Sequence, residues 1–151
     1  MLRPLLGLAI ACLFAGCLSN PAAHLERARE LTFEHKPKEA IAEYDEALSI
    51  LAKKDGEAVK AQRIQALKAA GDLCYLELKK YEKAAEYYRA LADRYPEAEE
   101  TLEARASLAD IFRTRFRDRR AAVAELAAIV QTFPRSPEVD RFQYLAARDY
   151  F

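Results

Sequence analysis

Apolar residues recur every three or four positions along almost the whole chain after residue 21, and polar turns interrupt them at intervals. That period predicts amphipathic helices and not strands. Leu25, Ala28, Leu31 and Thr32 mark a first helix from about Ala22, with Asn20 as its cap and Pro21 in its first turn. His35-Lys36-Pro37 ends it, because a proline ring crowds the residue before it out of the helical region. A second stripe, Ala40, Ile41, Tyr44, Ala47, Leu48 and Leu51, runs from Pro37 to about Lys53 and stops before Asp55-Gly56. Val59, Ile64, Leu67, Ala70, Leu73 and Cys74 line a third helix, and Lys79-Lys80 turns into a fourth over Tyr81–Pro96. Leu102, Ala106, Ala109 and Phe112 belong to a fifth, and Ala121–Phe133 is the sixth. Ser136-Pro137-Glu138 reads as a cap with proline at the first helical position of a seventh helix running towards Phe151.

The stripes repeat as well as alternate. The fourth helix carries Ala84, Tyr88, Leu91, Tyr95 and Pro96, and the sixth carries Ala122, Leu126, Ile129, Phe133 and Pro134, each 38 residues later. Gly71-Asp72-Leu73-Cys74 returns at the same offset of 38 as Ala109-Asp110-Ile111-Phe112, and Arg148-Asp149-Tyr150-Phe151 is a further copy. Ala40, Tyr44 and Ala47 form an earlier, looser one. Self-similarity at such a period is the mark of a helical repeat array. The unit is a pair of antiparallel helices that occurs three times, and the seventh helix caps the last apolar face. Composition agrees: 52% of residues are hydrophobic, while four glycines and six prolines, the latter gathered at helix ends, argue against a sheet-rich or disordered chain.

The N-terminus follows another pattern. One positive charge, Arg3, precedes an apolar run from Leu5 to Phe14. A bilayer-spanning helix needs about 20 such residues, so the run fits the core of a secretory signal peptide instead. Phe14-Ala15-Gly16-Cys17 follows and resembles the lipobox of bacterial lipoproteins, with Phe14 where leucine is usual. The resemblance implies cleavage after residue 16, a diacylglycerol thioether on Cys17 and a lipidated tether over residues 17–21. Several acyl chains anchor stably where one alone would be marginal. By the same resemblance Leu18 favours the outer membrane, so the expected location is its periplasmic face. Cys12 then leaves with the signal segment, Cys17 is blocked, and Cys74 remains as a lone buried thiol acting as a small hydrophobe. Without Arg3 the chain carries 23 basic and 24 acidic residues, which gives no reason to expect nucleic acid as a partner.

Over residues 22–151 the order small residue, aromatic, proline resembles the tetratricopeptide repeat. Gly71, Ala84, Tyr88 and Pro96 match the family's small, small, aromatic and proline positions, with Leu91 where alanine is usual. Ala109, Ala122 and Pro134 match in the next repeat, with Leu126 in place of the aromatic. The spacing from Gly71 to Ala84 is 13, one more than the family's usual value, and Ala109 to Ala122 repeats it. Ala28, Ala40, Tyr44 and Ala47 fit in the first repeat. The fold implied is an all-α solenoid of about three helix pairs plus a C-terminal capping helix, following the cleaved signal segment. The closing Tyr-Pro and Phe-Pro further resemble repeat proteins of the Gram-negative envelope, including the lipoprotein of the outer-membrane β-barrel assembly machinery.

In such arrays the first helix of each pair lines a concave groove. The resemblance therefore places Gln65, Lys68, Asp72 and Tyr75 in one groove with Glu103, Asp110 and Arg113, a mixed polar surface suited to an extended or helical peptide. Arg115, Arg117, Arg119 and Arg120 crowd one turn, as a solvated loop paired to Asp118 or as a contact site for an acidic partner or anionic headgroups. Phe116 among them is expected to pack inward. There is no phosphate loop, HExxH or CxxC. His24 and His35 stand alone, and the glutamate runs read as solvated faces. No catalytic residue, metal ligand, cofactor beyond the covalent lipid or small-molecule substrate is expected. The functional expectation is a membrane-anchored protein-interaction scaffold of the cell envelope, in outer-membrane protein assembly. A pilotin-like chaperone for a secretin or pilus component, a cell-wall coordination adaptor and an envelope enzyme subunit are the alternatives. Cys17 is the discriminating residue for the anchor: the Cys17→Ser chain should lose acyl label and membrane retention in cells grown with radiolabelled palmitate, and undiminished label on that variant would refute lipidation there.

Overall fold

The computed structural model describes residues 20–150, so the signal segment, Cys17 and Phe151 lie outside the described residues. Among those described, seven α-helices and no strand occur. The chain divides into two compact units, Met1–Asp55 and Gly56–Phe151. Gly56 opens the second with φ of +121°, a backbone region that a side chain would strain.

The first unit is one helix pair, α1 (Pro21–Phe33) and α2 (Pro37–Leu51). Asn20 caps α1 by accepting from the Ala22 N–H at 3.1 Å, and a proline starts each helix. α1 buries Leu25, Ala28 and Leu31, and α2 buries Ala40, Ile41, Tyr44, Ala47 and Leu51. Thr32 spends its hydroxyl on the Ala28 carbonyl at 2.8 Å and Leu48 is half-buried, so the core here is narrower than the apolar pattern. The pair is also tied by His24 Nδ1 and Glu43 Oε2 at 2.6 Å, so His24 is not isolated.

The second unit is a stack of two helix pairs and a cap: α3 (Glu57–Asp72) with α4 (Tyr81–Arg94), α5 (Glu99–Ile111) with α6 (Arg119–Thr132), then α7 (Val139–Tyr150). α7 starts two residues beyond Pro137. The Ser136 hydroxyl caps the Glu138 N–H at 3.3 Å as the sequence implies, but residues 137 and 138 form a turn before the helix proper. α5 is sandwiched between α4 and α6 and buries a wider arc than a single-stripe reading allows. Thr101, Ala104, Leu108 and Ile111 join Ala109 and Phe112 in the core, while Leu102 and Ala106 are only half-buried. A threonine is tolerated there because its Oγ1 donates to the Tyr95 carbonyl at 2.7 Å.

Both first helices of this unit end in a π-helical turn, Leu73–Glu77 after α3 and Phe112–Phe116 after α5. The closing bonds coincide: Lys80 N–H to Cys74 C=O and Asp118 N–H to Phe112 C=O, each 2.8 Å. Each turn ends in a left-handed residue, Lys79 and Arg117, both with φ of 55°. A π turn absorbs one extra residue, which explains why the small-to-small spacing is 13 in both repeats. In the first unit Ala28 and Ala40 are 12 apart, and α1 ends without such a turn.

At Gly71 a neighbouring side chain lies close against the helix backbone. A Cβ there would lie 2.6 Å from Tyr88 Cε1 and 2.8 Å from Cδ1, so the ring occupies the space of the missing side chain. Tyr88 is fully buried and donates from its hydroxyl to Asp72 Oδ1 at 2.7 Å. One repeat later the corresponding pair is Ala109 and Leu126, a larger small residue against a smaller partner. Gly71→Ala should therefore cost about 1–3 kcal/mol by overpacking. Combined with Tyr88→Leu it should show a favourable coupling of about 1 kcal/mol or more in urea unfolding, because the double variant copies the next repeat. Additive losses would show that the two positions do not compete for the same space.

Candidate functional site

Helices α3, α5 and α7 succeed one another as the first elements of the two stacked pairs and the cap, and their polar residues meet in the second unit. Lys68, on the last full turn of α3, reaches Asp72 Oδ2 at 2.7 Å and Glu103 Oε2 of α5 at 3.1 Å. Asp72 also accepts from Tyr88, so its carboxylate is held from both sides. Tyr75, on the π turn, donates to Asp110 Oδ2 of α5 at 2.5 Å. Asp110 Oδ1 meets Arg113 Nη2 at 2.7 Å, and Arg113 Nε lies 3.7 Å from Asp149 Oδ2 of α7. Asp149, whose side chain is only 10% exposed, also pairs with Arg148 at 2.9 Å.

Six of the seven groove residues expected from the sequence are thus joined in two clusters, Lys68–Asp72–Glu103 and Tyr75–Asp110–Arg113. Gln65 lies exposed three residues before Lys68 on the same helix. The clusters also lace the stack. Lys68–Glu103 and Tyr75–Asp110 cross from α3 and its π turn to α5, and Arg113–Asp149 crosses from α5's π turn to α7. The two aspartates one repeat apart have different partners for a traceable reason. Asp72 takes the Tyr88 phenol from within its own repeat, whereas Leu126 offers Asp110 no donor, and Asp110 takes Tyr75 from the preceding one. Where Leu126 replaces a tyrosine the packing also opens: a cavity of about 230 Å³ lies between apolar Ala109, Leu126, Phe142 and Leu145 and polar Asp110 and Arg113.

Burial and the bond to Asp110 push the Tyr75 phenol up to about 12. Burial and the bond to Asp72 raise Tyr88 further still, out of the ordinary tyrosine range. Burial alone would lower Lys68, but its bonds to Asp72 and Glu103 outweigh it and raise the ammonium. The Tyr75 and Tyr88 phenols therefore stay neutral across the physiological range. Cys74 is free and fully buried. Among the described residues no group of three or more His, Cys, Asp or Glu could hold a metal ion, and no helix is long and apolar enough to cross a membrane.

Residues 67–98 match the tetratricopeptide repeat family. The match falls on α3's last turns, its π turn and α4, where Gly71, Ala84, Tyr88 and Pro96 stand, and it supports a tetratricopeptide repeat protein. No curated protein matches the chain significantly.

The arginine-rich turn differs from its sequence reading. Asp118 does not pair with the arginines beside it: its carboxylate caps α6 by accepting from the Ala121 N–H at 2.9 Å. Phe116 does not pack inward. It is 37% exposed, leaning edge-on against Phe112 with ring centroids 5.8 Å apart, because the π turn rotates it off the buried face. Two arginines, Arg63 buried and Arg105 half-buried, had no signal in the pattern. Arg63 donates to the Tyr95 hydroxyl at 3.4 Å, and Arg105 joins α5 to Glu125 of α6 at 2.6 Å and to the Ala92 carbonyl of α4 at 3.4 Å. Their partners are 20 or more residues away except Ala92, at 13, and no local spacing encodes them.

The raised phenols set a pH window. An unfolded tyrosine ionises near 10, as a rough reference. The folded state favours the protonated form, so this stabilisation is complete below that pH and lost as pH rises towards 12 and beyond. Urea midpoints should be level from about pH 7 to 9 and fall above about 10. The Tyr75→Phe chain should start lower and fall less steeply. A phenolate absorbance titration in which every tyrosine ionises near 10 would contradict the bonded geometry.

Proposed function

We propose that the protein is a protein-interaction scaffold of the bacterial cell envelope, anchored through Cys17 to the periplasmic face of the outer membrane and working in outer-membrane protein assembly. The observation that carries the binding role is the polar surface on α3, α5 and α7. It presents hydrogen-bonding groups at successive repeat positions on rigid helices, beside a segment that matches a repeat family. Such a surface suits a peptide whose backbone and polar side chains lie across several helices. The chemistry favours binding over catalysis: the ionisable groups are paired with one another, and the only described thiol is fully buried. The anchor rests on the Ala15-Gly16-Cys17 resemblance and on the apolar run before it.

Crosslinking in intact cells tests the binding role and its partner. A photoreactive residue at Gln65 or Glu103, both exposed and on the groove helices, is compared with one at Ala90, exposed on α4. Capture of β-barrel assembly components from the groove positions alone is the expected result. Capture of a secretin would move the reading to a pilotin-like chaperone, and equal background from all three positions would remove the groove as the working surface.

A further inference from the structure

The two π turns carry a feature that the groove does not use. Arg115, Arg117, Arg119 and Arg120 fall within six residues, all exposed, with Asp118 as the only acid among them. Asp118 is occupied in capping α6. Arg117, Arg119 and Arg120 make no side-chain ion pair among the described residues. Arg115 stacks over the Tyr81 ring, its guanidinium carbon 4.3 Å from the centroid, and this brings the turn of the later repeat beside that of the earlier one. Lys79 and Lys80, both exposed, immediately precede Tyr81. Residues 77–83 carry three basic and two acidic side chains and residues 115–120 four and one, a net of +4 on this edge in a chain of net charge zero.

Two further facts narrow the partner. Leu76 is 58% exposed and Phe116 37% exposed, one on each π turn, so the basic edge also presents large apolar side chains. Arg119 and Arg120 open α6, where positive charge opposes the helix dipole. The fold gains nothing locally from them, and such a local conflict is expected where a surface serves something other than stability. An acidic polypeptide would satisfy the arginines. The interface of an anionic bilayer satisfies the arginines and also takes the apolar side chains between headgroups.

We propose that the edge formed by Lys79, Lys80, Arg115, Arg117, Arg119 and Arg120, with Leu76 and Phe116, is a docking surface for an anionic phospholipid membrane. It does not depend on the Cys17 anchor or on the identity of the groove's partner. Lipid near the edge would be held within a Debye length of about 10 Å, so the contact weakens with salt.

The test is vesicle flotation of the full chain, read as the ratio of partitioning to phosphatidylcholine vesicles with and without phosphatidylglycerol. This ratio cancels any contribution of the N-terminal apolar run to neutral bilayers. The R117Q/R119Q/R120Q chain should lose about 10²-fold of that ratio, at about fivefold per arginine. It should also unfold at no lower temperature, since two charges opposing the α6 dipole are removed. The K36Q/K38Q/K53Q chain, with the same net charge, should keep the ratio. L76S/F116S should lower it with every arginine in place. A wild-type ratio near one, an equal loss in both triple variants, or no effect of L76S/F116S would overturn the proposal. So would soluble polyglutamate binding the edge while anionic vesicles do not, which would assign the surface to an acidic polypeptide.

Discussion

The stack of the second unit depends on how near α4 can come to α3, and that distance is set at Gly71. With no Cβ at that point, the Tyr88 ring fills the space against the helix backbone and its hydroxyl reaches Asp72. Overlap of this kind is steep in energy, since close-packed interiors do not yield smoothly. The Asp72 carboxylate, fixed by Tyr88, is in turn the anchor for Lys68, and Lys68 reaches across to Glu103. A steric allowance at one glycine thus propagates into the placement of polar groups on the next repeat. Ala109 and Leu126 solve the same problem with a different division of volume, and the polar partnership shifts from within the repeat to between repeats.

Periodicity made much of this legible. The offset of 38 placed the second helices of both later pairs, and the family resemblance marked Gly71 and Ala109 as small positions. The resemblance to a repeat family, not the period itself, put Asp72, Tyr75, Asp110 and Arg113 on one surface. The extra residue between small positions was visible as a number, 13, but not as a shape. Inserted residues can enter a loop or a helix, and only the five-residue bonds, Leu78 N–H to Leu73 C=O and Arg117 N–H to Phe112 C=O, show that these became π turns. The orientation of Phe116 was hidden for that reason: after a π turn, side-chain directions no longer follow the 3.6-residue count. Arg63 and Arg105 were hidden for another. Such an arginine is specified by acceptors on neighbouring helices, and a helix period says nothing about those.

Charge is arranged quite differently on the groove and on the turn edge. In the groove each cation meets carboxylates at 2.7–3.7 Å, as Lys68 does with Asp72 and Glu103 and Arg113 with Asp110 and Asp149. The partly buried site screens such pairs less than water would. Along the turns Asp118 turns to the backbone, and Arg117, Arg119 and Arg120 are left to solvent. A formal charge of zero for the whole chain conceals this segregation.

The lacing of the groove has a thermodynamic corollary. Asp110 is at once the acceptor for Tyr75 from one repeat and the counter-ion of Arg113, which leads on to the cap helix. A ligand that donates a hydrogen bond to Asp110 must compete with one or both, and so acts on the two joints, α3 to α5 and α5 to α7, that these contacts hold. Occupancy and the spacing of the stack are therefore linked functions. Whatever binds more tightly to an opened joint shifts the helices, and whatever stiffens the joint changes affinity by the same factor.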